Sequence, residues 1–192
     1  MLFAPPKTAT ELSLNQPTIP LEVVVYVGSF EKCTCDRAAE GGHLDVLKWA
    51  REHHCPWNKW TCTFAAKGGH LDVLKWAREH LCPWDEQTCA LAARGGHLDV
   101  LKWAREHHCP WGELTCTFAA KGGHLDVLKW AREHHCPWDM STCMRAAESA
   151  PLEVLQWAME HGAPVQPSHA QWYEHLLRGE PHAMDLRRTF EA

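Results

Sequence analysis

The sequence predicts an all-α fold, an α-solenoid of stacked helix–turn–helix units, and three observations carry that prediction. The string GGHLDVLKWAREHHCPWNKWTCTFAAK opens at Gly41 and restarts at Gly68, Gly95 and Gly122, a period of 27 residues. A fixed period of roughly 20–50 residues is the signature of a repeat array. Inside each copy the apolar residues return at the helical period. Glycine pairs and Cys-Pro dipeptides punctuate every copy twice, with no alternating β-branched stretch between them, so each unit holds two helices and two tight turns.

Taken in order, Met1 to Pro20 carries Pro5, Pro6, Pro17 and Pro20 and no periodicity, and reads as a disordered or loosely docked segment. Leu21-Glu22-Val23-Val24-Val25-Tyr26 matches Leu44-Asp45-Val46-Leu47-Lys48-Trp49 and reads as a shortened outer helix that starts the array, with Phe30 in the place of Trp57. His43 to His54 reads as a full outer helix. Leu44, Leu47, Ala50 and His54 make one stripe, with Asp45, Lys48 and Glu52 opposite and Lys48 and Glu52 within pairing reach. Cys55-Pro56 ends that helix, because proline disfavours the α conformation in the residue before it.

Asn58, Asp85 and Asp139 stand where N-caps of a short inner helix are wanted, and Gly112 is the weaker cap. Trp57 and Cys62 have the spacing of a hydrophobic staple. Cys62, Ala65 and Ala66 form a narrow small-residue stripe that permits close packing, and Gly68-Gly69 stops the helix. At the far end Ser149-Ala150-Pro151 replaces the glycine pair and histidine, and Leu152 to His161 is the last outer helix. His169 to Leu177 and Pro181 to Phe190 look helical, offering Trp172, Leu176, Leu186 and Phe190 to cover the end of the stack. The organisation is therefore residues 1–20 as an N-terminal segment, 21–165 as about five repeats with degenerate ends, and 166–192 as a helical cap.

Ala65-Ala66-Lys67-Gly68-Gly69-His70-Leu71-Asp72-Val73-Leu74-Lys75 resembles the A-A-x-x-G-H-x-E-V-V-K core of an ankyrin repeat, and His161-Gly162-Ala163-Pro164-Val165 resembles the H-G-A-D-V that follows it. Ankyrin repeats run about 33 residues. Each copy here is shorter, and the loss falls between Trp57 and Thr61, where the family carries its β-hairpin finger. The T-P-L-H signature is replaced by Thr61-Cys62-Thr63-Phe64. The short Cys-Pro-Trp form resembles variants expanded in large DNA viruses of protists and in some protist genomes. The resemblance implies ankyrin-like repeats lacking β-hairpin fingers, and a protein-binding role. Ile19 to Val24 is faintly similar to the start of an F-box, the element that joins viral ankyrin proteins to ubiquitin ligases.

A net charge of −5 gives no nucleic-acid footprint. No apolar run is long enough to span a membrane, and Val23 to Val27 is too short for a secretory core, which points to an intracellular protein, cytoplasmic or nuclear. Full protonation of the fifteen histidines would carry the formal charge from −5 to +10, so solubility and stability are expected to change near pH 6.

Ten cysteines beside histidines suggest metal chemistry, and His53-His54-Cys55 with Cys62 has the right ligand types for zinc. There is no C-x-x-C pair, however, and Cys55 and Cys62 occupy positions that are Ala and Leu in ordinary ankyrin repeats. Packing is the stronger reading, with no metal or other cofactor. Cys55 and Cys62 would be the pair to approach across a turn, yet free thiols are expected inside a cell. Trp49, Trp76, Trp103, Trp130 and Trp157 form a ladder on the outer helices, and Arg51 and its copies are placed for contacts with tryptophans between repeats. No nucleophile stands beside a base, so no catalytic residues are assigned.

The copies differ at a restricted set of positions. Lys59, Trp60, Thr63 and Phe64 become Glu86, Gln87, Ala90 and Leu91, then Glu113, Leu114, Thr117 and Phe118, then Met140, Ser141, Met144 and Arg145, while Lys67 becomes Arg94, Lys121 and Glu148. These positions are expected to line a concave face, and Trp60, Phe64, Lys67, Gln87, Leu91, Arg94, Leu114, Phe118, Lys121 and Arg145 are its candidate binding residues, apolar anchors beside a basic row suited to a protein partner. Drift at exposed positions would give the same variation. The function read from the sequence is a non-catalytic, monomeric interaction module for an unidentified protein. The alternatives are a Cys/His metal or redox protein and a recruiting adaptor of a ubiquitin ligase.

Overall fold

The computed structural model describes residues 33–179 as a row of helix pairs. In chain order the helices are α1 (Cys33–Glu40), α2 (Leu44–Glu52), α3 (Lys59–Gly68), α4 (Leu71–Glu79), α5 (Glu86–Gly95), α6 (Leu98–Glu106), α7 (Glu113–Gly122), α8 (Leu125–Glu133), α9 (Met140–Ser149), α10 (Leu152–Glu160) and α11 (Ala170–Leu177). A 3₁₀ turn at Pro167–His169 leads into α11, and no strand occurs among the described residues, so the β-hairpin fingers are absent there. Odd-numbered helices from α1 to α9 stack directly on one another as an inner row, and even-numbered ones form the outer row. The expected segment at Met1–Pro20, its F-box likeness, the outer helix at Leu21–Tyr26, the role of Phe30 and the helix at Pro181–Phe190 lie outside the described residues.

The inner helices form because their ends are chemically specified. Asn58, Asp85 and Asp139 are extended N-caps whose side chains accept from the backbone N–H two residues on, at 2.8, 3.0 and 3.0 Å. Gly112 caps α7 without a side chain. At the other end Gly69, Gly96 and Gly123 are left-handed, with φ of 77°, 76° and 76°. Cys62, Ala65 and Ala66 and their copies are fully buried, so each inner helix meets the next with little side-chain bulk between them.

The outer helices stop earlier than the proline suggests. α2 ends at Glu52, His53 is its C-cap, and His54 turns the chain with φ of 60°. Leu81, His108 and His135 repeat this at 63° each, and Gly162 takes the place at 79°. The proline therefore follows a helix already closed by a left-handed residue. His54 is exposed rather than part of the buried stripe, and the missed core member is Val46, buried with Leu47 and Ala50. The ion pairs found among the described residues do not include Lys48 with Glu52.

Three devices join one unit to the next. The Nε2 of His70, His97 and His124 reaches back to the carbonyls of Glu40, Lys67 and Arg94 at 2.9, 3.0 and 3.1 Å. A carbonyl only accepts, so each Nε2 donates. This explains the glycine pair: a Cβ on Gly95 would lie 2.5 Å from the His97 ring and 2.9 Å from the Lys67 carbonyl. Second, Trp57, Trp84, Trp111 and Trp138 meet Trp76, Trp103, Trp130 and Trp157 edge to face at 5.8, 5.9, 5.8 and 6.2 Å. Each of the latter also carries a histidine ring four residues on, at 4.1–4.2 Å, stacked on Trp103, Trp130 and Trp157 and tilted on Trp76. Trp57 thus finds its aromatic partner across the junction in Trp76. Arg51 lies 4.2 Å over Trp57 of its own unit while its guanidinium donates to the Cys55 carbonyl, so the arginine contact is within a repeat and not between repeats.

Third, hydroxyl rungs link the inner helices. Thr61 donates to Asp36 at 2.7 Å, Thr63 meets Thr88 at 3.3 Å, and Thr117 meets Thr142 at 3.4 Å. The rung between α5 and α7 is broken because Ala90 occupies the place of Thr63 and Thr117. Buried Thr115 is left without an oxygen or nitrogen partner, against the Cys136 sulfur. Burial raises the Asp36 carboxyl above its ordinary range, opposed by the Thr61 hydrogen bond. α11 buries Trp172 and Tyr173 and packs on α10, at the place where the sequence put a cap.

Candidate interaction surface

Fold placement decides which side chains of an inner helix are free. The buried stripe and the threonine rungs consume one side, so residues such as Trp60 and Phe64 emerge on the other. Trp60 is 42% exposed and Leu114 40%, while Phe64, Leu91 and Phe118 are half-buried. The Trp60 and Phe64 rings are 6.0 Å apart, with Lys59 Nζ 5.5 Å from the Trp60 ring and Lys67 Nζ 5.8 Å from Phe64. Arg94 reaches across the junction to within 5.8 Å of the Phe118 ring. The variable positions therefore form connected pairs.

The charges have partners too. Lys67 bonds Glu40 of the preceding unit at 2.6 Å, and Lys59 bonds Asp85 of the following one at 2.7 Å. Arg145 pairs with Glu148 at 2.8 Å. Gln87 and Lys121 are half-buried on α5 and α7. The cations Lys67, Arg94 and Lys121 lie in the last turns of their helices, and Glu86 and Glu113 lie in first turns, the placement that the helix dipole favours. The surface is thus an apolar strip flanked in its middle units by Arg94 and Lys121 on one side and Glu86 and Glu113 on the other, with Lys59, Glu40 and Glu148 reversing the sign toward the ends. Of the other varying positions, Thr63, Ala90 and Thr117 are buried between inner helices and not on this face, whereas Met140 is 48% exposed at the start of α9 and extends the apolar strip by one unit. Met140 stands in the place of the charged residues Lys59, Glu86 and Glu113.

The outer side offers three open clefts of about 510, 620 and 360 Å³ between successive outer helices. Each is walled by Lys, Arg, Glu, Trp and His side chains of successive outer helices, and the Trp rings among them are already engaged in the Trp–Trp contacts between units. Among the described residues no three His, Cys, Asp or Glu side chains converge on a point where a metal would sit. The expected approach of Cys55 to Cys62 is replaced by another pairing: the Cys62 thiol donates to the Cys82 carbonyl at 3.8 Å. No helix among those described is long and apolar enough to cross a membrane.

A family model described as ankyrin repeats (many copies) matches residues 35–78 and 62–105. Among solved structures the ankyrin repeat domain of human ASB11 is similar, with a TM-score of 0.56 and 15% sequence identity over 79% of this chain and 81% of that one. No curated protein matches the sequence.

Proposed function

With residues 35–105 built of ankyrin repeats as premise, we propose that the chain is a non-catalytic protein-interaction module that binds its partner on the inner-helix face. The observation that carries this reading is the separation of roles along the repeat. Residues that join unit to unit, His70, Gly69, Trp76 and Trp84 with their copies, are nearly invariant between units. Residues on the inner face are not, and they leave Trp60, Leu114 and Met140 exposed. Large exposed apolar side chains in a connected strip favour a partner that desolvates them. A stacked scaffold holds them in fixed positions, which limits the ordering cost of binding. We assign the repeats to the short Cys-Pro-Trp subtype, and take the module to be an intracellular monomer with a concave inner face.

The test is affinity capture from lysate with the native chain and a Trp60→Glu, Leu91→Glu, Phe118→Glu variant of unchanged circular dichroism. Loss of a captured protein in the variant alone is the expected result. Equal capture by both would move the binding surface to the outer helices or the chain ends.

A further inference from the structure

Nine cysteines are described with free thiols and buried. They fall into two sets, one on the inner helices and one in the turns after the outer helices. Each of four inner-helix thiols interacts with the turn thiol twenty residues on, Cys35 with Cys55, Cys62 with Cys82, Cys89 with Cys109 and Cys116 with Cys136, the turn thiol being among the causes that push each helix thiol up. In two units the helix sulfur also lies 3.8 and 4.0 Å from the carbonyl of the turn cysteine. The turn sulfurs of Cys82, Cys109 and Cys136 are in turn 3.3, 3.4 and 3.5 Å from the carbonyls of the N-caps Asn58, Asp85 and Gly112. Cys143 has Ala163 at the twentieth residue and so no thiol partner at that spacing.

We propose that these four pairs are modification sites at which a hydroperoxide converts two thiols into a disulfide, stapling each inner helix to the turn that closes its unit. The turn cysteine attacks first, as thiolate, on a peroxide oxygen. A sulfur–oxygen bond forms as the O–O bond breaks, the released oxyanion takes a proton, and the turn cysteine is left as a sulfenic acid. The helix thiol then loses its proton and its sulfur displaces the sulfenic oxygen, which leaves as water. Two thiols have lost two electrons to one hydroperoxide, and with hydrogen peroxide the products are the disulfide and two waters.

Two of the pairs are asymmetric in the sense this order needs. The hydrogen bond from Cys62 holds the Cys82 thiol below its ordinary range, helped by the Arg78 guanidinium, and the same bond together with burial pushes Cys62 far up. Cys136 and Cys116 repeat the pattern. Both sulfurs of each pair are fully buried, so attack waits for the turn to open. The turn has a place to open: each turn cysteine directly follows a non-glycine residue held at positive φ, His54, Leu81, His108 or His135. Bridging is therefore slow in the folded chain and confined to the partner already in contact.

The experiment treats the folded full chain with hydrogen peroxide, alkylates remaining thiols after denaturation, and maps bridged peptides by mass spectrometry. The expected products lose two hydrogens per bridge, up to four bridges, in the register Cys35–Cys55, Cys62–Cys82, Cys89–Cys109 and Cys116–Cys136. Cys143 remains alkylatable, and a thiol reductant reverses the change. A Cys62→Ala variant, checked by circular dichroism, should lose only the bridge to Cys82. Bridges in another register, such as Cys55 to Cys62, or sulfinic and sulfonic acids in place of bridges, would overturn the proposal, as would thiols that survive peroxide in the folded chain.

Discussion

Leu81 is a leucine in a glycine's conformation. Its φ is 63° and its side chain is 85% exposed, so it bears the strain of the left-handed region and buries nothing in return. That conformation costs an L-residue about 1–2 kcal/mol, and glycine avoids it at some cost in unfolded-state entropy. Leu81→Gly should therefore stabilise the protein by about 1 kcal/mol, measured as a higher urea midpoint at unchanged slope. Gly162→Leu, at the same position of the last unit, should shift the midpoint the other way. The signal was present in the sequence, because His161-Gly162-Ala163-Pro164 places a glycine where the other units carry His or Leu. Cys55-Pro56 obscured it: proline marks where a helix cannot continue, and says nothing of a turn already made two residues earlier. The same residue-scale physics made the inner caps legible, since Asn58, Asp85 and Asp139 need only their own backbone to act.

Between elements, the broken rung offers the clearest test. Thr63–Thr88 and Thr117–Thr142 join inner helices through hydroxyls, while Ala90 leaves Thr115 facing sulfur. Ala90→Thr restores the side chain found in two other units and should add about 1 kcal/mol, the usual net value of an intramolecular hydrogen bond, seen as a higher melting temperature. A Thr115→Ala background should abolish most of the gain. Which helices exist, and that small residues bring the inner ones together, followed from period and punctuation. Which residue meets which did not. A near-perfect repeat gives every side chain several equivalent candidates in neighbouring units, and spacing alone cannot choose among them. Arg51 was therefore expected on a neighbouring repeat's tryptophan and lies on Trp57 of its own, and Cys62 pairs with Cys82 rather than with Cys55. Copy-to-copy differences pointed to Trp60, Leu114 and Met140 without any need to know their neighbours, but the same comparison also picked out Thr63, Ala90 and Thr117, which are buried between inner helices.

For the whole molecule, stability is a chain of nearest-neighbour terms, and one junction differs from the rest. Pro151 stands where His70, His97 and His124 send a ring nitrogen back to the preceding unit, and Ala150 is extended where Gly69, Gly96 and Gly123 are left-handed. The last unit is thus tied by one device fewer. Amides of α9 and α10 should exchange with solvent faster than those of α5 to α8. A Ser149→Gly, Ala150→Gly, Pro151→His variant, restoring the bond worth about 1 kcal/mol, should slow their exchange about fivefold. The other junctions carry a different consequence. Because His97 and Lys67 meet through the same atoms as His124 and Arg94, the interior units behave as interchangeable letters. Inheritance can lengthen, shorten or reorder such a text by whole letters without misspelling the fold, and each new order presents a new word on the inner face.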